Sequence, residues 1–531
     1  MRTRWSTLLA VCVGTFMLLL DVSVVMVALP SIQGSLGATF SEVQWVVDAY
    51  ALTLAATLLT AGSLADRYGH RRFYLLGLAL FAGASLLCGL AQSPLMLILT
   101  RGLQGIGGAI MFSTALGLLG HHYRGADRKI AFAVWGATTG LALALGPLAG
   151  GLLIDALDWR WIFLVNVPIA FLASALTRTG VSETREVPAG GLDWLGFVTF
   201  SGALGGLVYG LIRGTPDGWT SGGVLTGLIA APILLGAFAL AELRAESPMF
   251  ELRLLRKPAF AGASVAAFVT NATLPALVLY LVVYLQQVLG YDALQTGVRL
   301  LVLSGGIAVG GIASGRLSEH VPPRAPLAAG LTLAGVGLLL MRGLTATSGW
   351  NDLVPGLLVS GFGMGLVNPA LASLAVDVVG AGHSGMGAGI NTTFRQVGIA
   401  TGIAGLGSVF IDRVGAATDA GLSRLGSVPA DMATRVADGL SSGRAAETLG
   451  SLPPSIRAQA QEVARGAVAT GLNDIFLIAA VVAFAGALAS LLLVRSRDVA
   501  PARDTAGPAR PDVGTGLRRR STAGVPAAGS R

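Results

Sequence analysis

The 531-residue chain is 53% hydrophobic and only 12% charged, against about 25% charged in an ordinary soluble domain. So little charge cannot cover a surface of this size for water, which excludes a soluble globular protein and makes lipid the solvent. The formal net charge of +8 sits in short gaps between apolar runs and in the tail, with no basic stripe interleaved with aromatics, so nucleic acid is excluded as a partner.

The first apolar run follows Met1-Arg2-Thr3-Arg4-Trp5, a flank like that of a signal peptide. It is too long, has no small-residue cleavage site and is followed by many more runs, so it reads as an uncleaved first span. A span needs about 20 mostly apolar helical residues, because lipid offers no partner for free backbone groups. Windows of that size place spans at 8–30, 43–64, 73–91, 95–119, 130–154 and 161–177, then at 193–213 and 222–241. Six more follow at 259–285, 296–317, 325–344, 351–375, 387–410 and 471–494, about fourteen by the span rule. Cys12 and Cys88 fall inside such runs, which points to neither a disulfide nor a metal site.

Alternate short loops carry most of the cations, among them Arg67, Arg71, Arg72, Arg124, Arg128, Lys129, Arg178, Arg185, Arg253, Arg256 and Lys257. The positive-inside rule then puts both termini in the cytoplasm. Residues 411–470 are expected outside as a long loop with short surface helices in stretches such as 455–469. The Pro-, Gly- and Arg-rich residues 496–531 are expected to be a disordered tail.

A short repeat organises the whole. The loop Gly62-Ser63-Leu64-Ala65-Asp66-Arg67-Tyr68-Gly69-His70-Arg71-Arg72 has a degraded copy from Gly315 to Arg324 at a constant offset of 253 positions, with Glu319 matching Asp66. The expected architecture is an all-α polytopic membrane protein of two six-helix bundles, residues 1–180 and 251–495, with two extra helices in 181–250. Repeated halves with a substrate site between them are the build of secondary transporters.

An ionisable group at bilayer depth costs at least about 2.5–3.5 kcal/mol, so each one is a functional candidate. At about 1.5 Å per residue, Asp21 lies roughly 13 Å, Arg101 roughly 9 Å and Asp48 about 8 Å from the outer ends of their spans. The three thus share one layer of the N-terminal bundle. The functional reading is a proton-binding carboxylate tuned by a nearby arginine; a static ion pair pinning helices is the alternative. In the C-terminal half, Arg395 has no acidic partner within any span, which leaves snorkelling, bonds to backbone carbonyls and contact with substrate as its readings. Asn391 and Arg395, with Tyr280 and Gln286, are candidates for lining a cavity, although Tyr280, Gln286 and Gln287 also suit an interfacial belt. Asp66 among Arg67, Arg71 and Arg72, with Gly69 allowing the turn, suits a latch at the cytoplasmic face or ordinary topology-setting charge. Gly136 and Gly140, then Gly146 and Gly150, offer a flat helix face, and Pro147 bends its outer half.

These residues resemble the major facilitator superfamily, in particular its 14-helix drug:proton antiporter branch of EmrB/QacA type. The Gly62–Arg72 loop matches the superfamily's signature loop, with His70 where a basic residue is usual. Arg101, Gln104, Gly105 and Gly107 match its fourth-helix motif. Gly146, Pro147, Gly150 and Gly151, with Gly140 upstream, match the fifth-helix hinge typical of exporters. Leu19–Pro30 and the Trp159–Pro168 stretch are similar to signatures of the 14-helix branch, and the 45–69 region to actinomycete exporters of the methylenomycin-resistance type. The resemblance implies a bacterial cell-membrane protein, not an enzyme, that exports a small lipophilic substrate by alternating access. It implies a proton gradient as the driving force, no cofactor, lipid as the surrounding partner and a monomer. Asp21, Arg101 and Asp48 would couple protons, Asp66 and Arg71 would form the cytoplasmic gate, and Gly146 with Pro147 the outer seal. The lack of Asp or Glu in spans ten and thirteen argues against dicationic drugs. Export of an endogenous metabolite (a self-made antibiotic, siderophore or lipid) and a non-transporting sensor or scaffold are the alternatives.

Overall fold

Backbone groups in lipid must find partners within their own segment, and the chain meets this demand with helices alone among the described residues. The computed structural model describes residues 2–123, 125–184, 193–245, 248, 250–317, 321–377, 384–425 and 454–494. In chain order the helices are α1 (Arg2–Leu36), α2 (Phe40–Tyr68), α3 (His70–Gly89), α4 (Pro94–His122), α5 (Gly125–Ala156), α6 (Trp161–Leu164) and α7 (Asn166–Gly180). Then come α8 (Trp194–Asp217), α9 (Gly222–Arg244), α10 (Pro258–Val283), α11 (Ala293–Leu317), α12 (Arg324–Leu340), α13 (Val354–Asp377), α14 (Ser384–Leu425) and α15 (Pro454–Leu493). Among the described residues, twelve spans are long and apolar enough to cross a membrane. The bent α5 makes a thirteenth, and the shorter apolar α12 stands on the expected 325–344 span.

Local sequence sets the turns. Thr39 and Glu42 form a reciprocal cap on α2, the Glu42 carboxylate accepting from the Thr39 N–H at 2.7 Å and the Glu42 N–H donating to Thr39 Oγ1 at 3.3 Å. Ser93 caps α4 with Pro94 just inside the start. Between α2 and α3, Gly69 takes φ +109°, a left-handed conformation that other residues rarely adopt.

The same packing pattern occurs twice. In the first half α1 packs on α5 and α7, and α4 on α2 and α3. In the second, α10 packs on α14 and α15, and α13 on α11 and α12. The halves meet along two seams, α5 against α11 and α2 against α14. Of the inserted pair, α8 lies over the second seam, touching both α2 and α14, and α9 packs on α8. The far side of α9 turns Leu225, Ile229, Ile233, Leu240 and Leu243 outward, as a helix facing lipid does.

One expectation needs correction. Residues 411–425 and 454–470 are not loop with short surface helices. They continue α14 and α15, which run for 42 and 40 residues, far beyond the roughly 20 that span a bilayer. Gly421 packs against Val463, and Arg413 pairs with Asp474 at 3.2 Å, so the extensions brace each other. Residues 426–453, the expected tail 496–531 and Glu319 of the degraded loop lie outside the described residues.

Candidate functional site

Asp21 is 1% exposed on α1, and three donors from two other helices converge on it. Arg101 Nη1 on α4 donates to Asp21 Oδ2 at 2.7 Å. Gln104 Nε2, one turn further along α4, donates to Asp21 Oδ1 at 3.0 Å, and Asn166 Nδ2 at the start of α7 donates to the same oxygen at 2.7 Å. Ser85 Oγ on α3 accepts from both amides, at 2.6 and 3.2 Å. Arg101 is itself 1% exposed. Its Nε donates to the Val46 carbonyl at 3.1 Å, Nη1 also donates to Gln104 Oε1, and its guanidinium lies 4.2 Å from the Tyr50 ring centroid. A carboxylate and a guanidinium buried together are tolerable because their hydrogen bonds are largely met by this shell.

Close helix contact makes the network possible. A β-carbon at Gly105 would strike Thr53 and the Tyr50 carbonyl, and one at Gly107 the Phe81 backbone, so these glycines let α2 and α3 close on α4. The Trp159–Pro168 stretch turns tightly through α6, burying Trp159 and Phe163 and delivering Asn166. Phe163 stands 5.8 Å from the Arg101 guanidinium.

Asp48 does not join this group. It is 0% exposed, and neither carboxylate oxygen has a hydrogen-bond partner among the described residues. One turn earlier on the same helix, Gln44 Nε2 donates to Tyr280 Oη and to the Ile403 carbonyl, both at 3.2 Å, and Tyr280 Oη donates to Ile403 O at 2.9 Å. Tyr280 is therefore fully buried in the α2–α10–α14 contact. Gln286 likewise spans the halves, donating from Nε2 to the Val27 carbonyl at 3.0 Å, and Gln287 donates to Gln33 Oε1 at 3.1 Å.

These contacts all lie at the end of the bundle opposite residue 2, and the α5–α11 seam is tight at the same end. A β-carbon at Gly151 would strike Ala293 and Leu294, and one at Gly297 would strike the Pro147 carbonyl. Gly146 and Gly150 instead admit Ser23 and Val24 of α1. Gly136 and Gly140, expected on the same flat face, have nothing within 4 Å of a built β-carbon and make no close contact among the described residues. The axis of α5 turns by 42° between Val134–Ala142 and Leu145–Ala156, where the Pro147 ring would crowd the carbonyl one turn earlier.

At the other end, the Gly62–Arg72 loop docks onto its own half. Asp66 Oδ1 lies 3.1 Å from His70 Nε2, not beside Arg71 as the gate reading expects. The Arg71 N–H donates to Glu183 Oε1 at 3.0 Å and its Nη2 to the Arg178 carbonyl at 2.7 Å, while Arg72 Nε reaches Glu183 Oε2 at 3.7 Å. Gly69 leaves the room that Glu183 fills, whereas Gly62 has only ordinary contact with Ser113. Arg67 lies half-buried at the last turn of α2. In the second half, Arg395 Nε donates to Asn391 Oδ1 at 3.3 Å and Nη1 to Asn368 Oδ1 on α13 at 3.2 Å. Among the described residues no three His, Cys, Asp or Glu side chains gather as a metal-ligand set.

A buried Asp–Arg pair in the first of two repeated six-helix halves is accompanied by a direct match: residues 11–403 fit the family model for the Major Facilitator Superfamily. The chain belongs to the Major Facilitator Superfamily. Within the superfamily it is 33% identical over 493 residues to the tetracenomycin C resistance and export protein of Streptomyces glaucescens, covering 92% of this chain and 91% of that one. It is 34% identical over 401 residues to the methylenomycin A resistance protein of Streptomyces coelicolor, covering 75% and 84%. Its fold resembles that of a bacterial homologue of the human lysosomal transporter Spinster in an inward-facing, occupied conformation, with TM-score 0.57 at 18% identity, covering 94% of this chain and 99% of that one. This superfamily member is a multi-pass membrane transporter and not an enzyme.

Sequence reasoning missed Asn166 and Ser85. Neither is charged, so the cost of burying charge does not flag them. The available signal was an asparagine standing directly after the apolar Trp161–Val165 run.

Proposed function

We propose that this chain is a proton-coupled exporter of small lipophilic molecules, with the residue-2 end of the bundle in the cytoplasm. The single supporting observation is the placement of Asp21. It is the carboxylate of a fully buried Asp–Arg pair, held by α3, α4 and α7, on the helix that also packs against the α5 hinge. One similar protein is named a resistance and export protein and another an antibiotic resistance protein, and the arginine-rich loops favour the stated orientation.

In this reading the outer ends are closed, and substrate enters from the cytoplasm. Gly146, Pro147, Gly150 and Gly151 form the outer seal, against α1 and α11. A proton reaching Asp21 removes its charge and loosens the hold on Arg101, which keeps Val46 O, Gln104 and the Tyr50 face. That proton comes from outside, in the outward-open state, and the change in helix packing favours reopening to the cytoplasm; release of the proton there restores the ion pair. Asp48, at the seam, is a second proton-carrying group. The Gly62–Arg72 loop steadies the cytoplasmic end through His70 and Glu183.

The test is expression in an efflux-deficient bacterium challenged with puromycin, tetracenomycin C and methylenomycin A. Raised resistance that collapses with a protonophore and is absent for Asp21→Asn is expected. Resistance that ignores the protonophore, resistance equal in Asp21→Asn, or no resistance to any of the three refutes the reading.

A further inference from the structure

Charge within the bundle divides unevenly between the halves. Asp21 and Arg101 cancel each other, whereas Arg395 in α14 has no carboxylate within 4.0 Å among the described residues. Its described partners are neutral amide oxygens, Asn391 Oδ1 and Asn368 Oδ1. Because a guanidinium only donates, it fixes both amides with their oxygens toward it. Asn368 Nδ2 then donates to the Met364 carbonyl at 3.3 Å, while Asn391 Nδ2, on a residue 5% exposed, has no acceptor among the described residues. Arg395 Nη2 also has no partner among the described residues, and the side chain is half-buried where Arg101 is sealed. The cluster therefore carries one positive charge and spare donors from two side chains, and it lacks an acceptor.

The helix that carries it, α14, borders one seam between the halves. One face of α14 meets α2, with Leu59 against Gly389 and Gln44 against Gly407. The opposite face meets α10, with Phe268 and Ala272 against Gly398 and Gly402. Arg395 is about 60° around the helix from Gly398 and about 20° from Gly402, on the side of α14 that faces α10 and away from α8, which reaches α14 through Thr215 and the Ser408 carbonyl at 3.3 Å. A guanidinium there, beside a spare amide N–H, suits a carboxylate or another delocalised oxyanion held by two donors.

We propose that Arg395, Asn391 and Asn368 form the receptor for an anionic group on an otherwise lipophilic exported molecule. This rests on the export reading and adds the charge class of the cargo: singly anionic, not cationic. No acidic side chain of α10, of α12 or of the 384–410 part of α14 would offset that preference, and Asp48, the carboxylate of α2 that faces α14, stands about two turns nearer the outer end.

The test is fluorescence anisotropy on the purified full chain with two xanthene dyes, anionic fluorescein and cationic tetramethylrosamine. Wild type is expected to bind fluorescein at least roughly tenfold more tightly than the rosamine. Arg395→Gln should lose about tenfold in fluorescein affinity and Arg395→Lys less, with rosamine binding unchanged by either. Asn368→Asp keeps the arginine but supplies an internal carboxylate, and should abolish the preference in the same way. Equal or stronger binding of the rosamine, binding of neither dye, or a fluorescein preference that survives in both Arg395→Gln and Asn368→Asp overturns the proposal. Fluorescein that binds as expected but is not moved by a pH gradient in vesicles refutes proton-coupled export alone.

Discussion

Removing either charge of the Asp21–Arg101 pair leaves the other buried without an opposite. Arg101→Gln strands a carboxylate that keeps only the amide donors of Gln104 and Asn166. Asp21→Asn strands a guanidinium with Val46 O, Gln104 Oε1 and the Tyr50 ring, and turns a new amide N–H toward existing donors. With both partners about 1% exposed, each single change should destabilise the fold by about 3–5 kcal/mol. The double variant strands no charge, so the two effects should fall short of adding by about 1.5–3 kcal/mol. Unfolding in mixed micelles, followed by tryptophan fluorescence and fitted to a linear dependence on denaturing detergent, measures the cycle. Transport should stay absent in the double variant even where stability returns. Single variants that each lose under about 1 kcal/mol and add without a remainder would refute the claim that the pair is a sealed, mutually dependent unit.

Other consequences follow from the outer seam and the inner loop. Cysteines replacing Gln33 and Gln287, whose side-chain amides meet at 3.1 Å, should be bridged by a short bis-methanethiosulfonate reagent, which spans what a direct disulfide does not, and should stop transport until reduced. Cys12 and Cys88 are buried and should give little background; cross-linking without loss of flux would contradict outer closure as part of the cycle. Gly297→Leu drives a side chain into the Pro147 carbonyl, so it should hold the outer end open and raise labelling of a cysteine at position 287 by a membrane-impermeant maleimide. Unchanged labelling would contradict it. Gly117→Ala should displace the His70 ring that fills its space, lowering stability by about 1–3 kcal/mol. An unshifted unfolding midpoint would show that the ring yields freely.

The Asp21–Arg101 pairing was legible because both residues lie on helices crossing the whole bilayer, so residue count measures depth. Depth carries no azimuth. Asp48 shares the layer yet sits on the face of α2 that meets α10 and α14, while Val46 and Tyr50 face Arg101. The glycines show the same limit: Gly136 and Gly140 share the spacing of Gly146 and Gly150, but only the latter pair meets a neighbouring helix closely. Hydropathy also ended α14 too early and began α15 too late. Their extensions leave the apolar layer but stay helical by packing on each other, with Val414, Leu422, Ala460 and Ala464 buried. The partners of Asp66 followed from tertiary contact: His70 is wedged against Gly117 of α4, and Glu183 beyond α7 takes the arginines.

Proton movement itself is the most direct measure of the central claim. Vesicles containing the protein and a luminal pH dye, given a drug chosen by the resistance panel, should show protons leaving the lumen as the drug enters it, and no such signal with Asp21→Asn. A drug-induced proton signal of equal size in Asp21→Asn, or protons moving in the same direction as the drug, would contradict it.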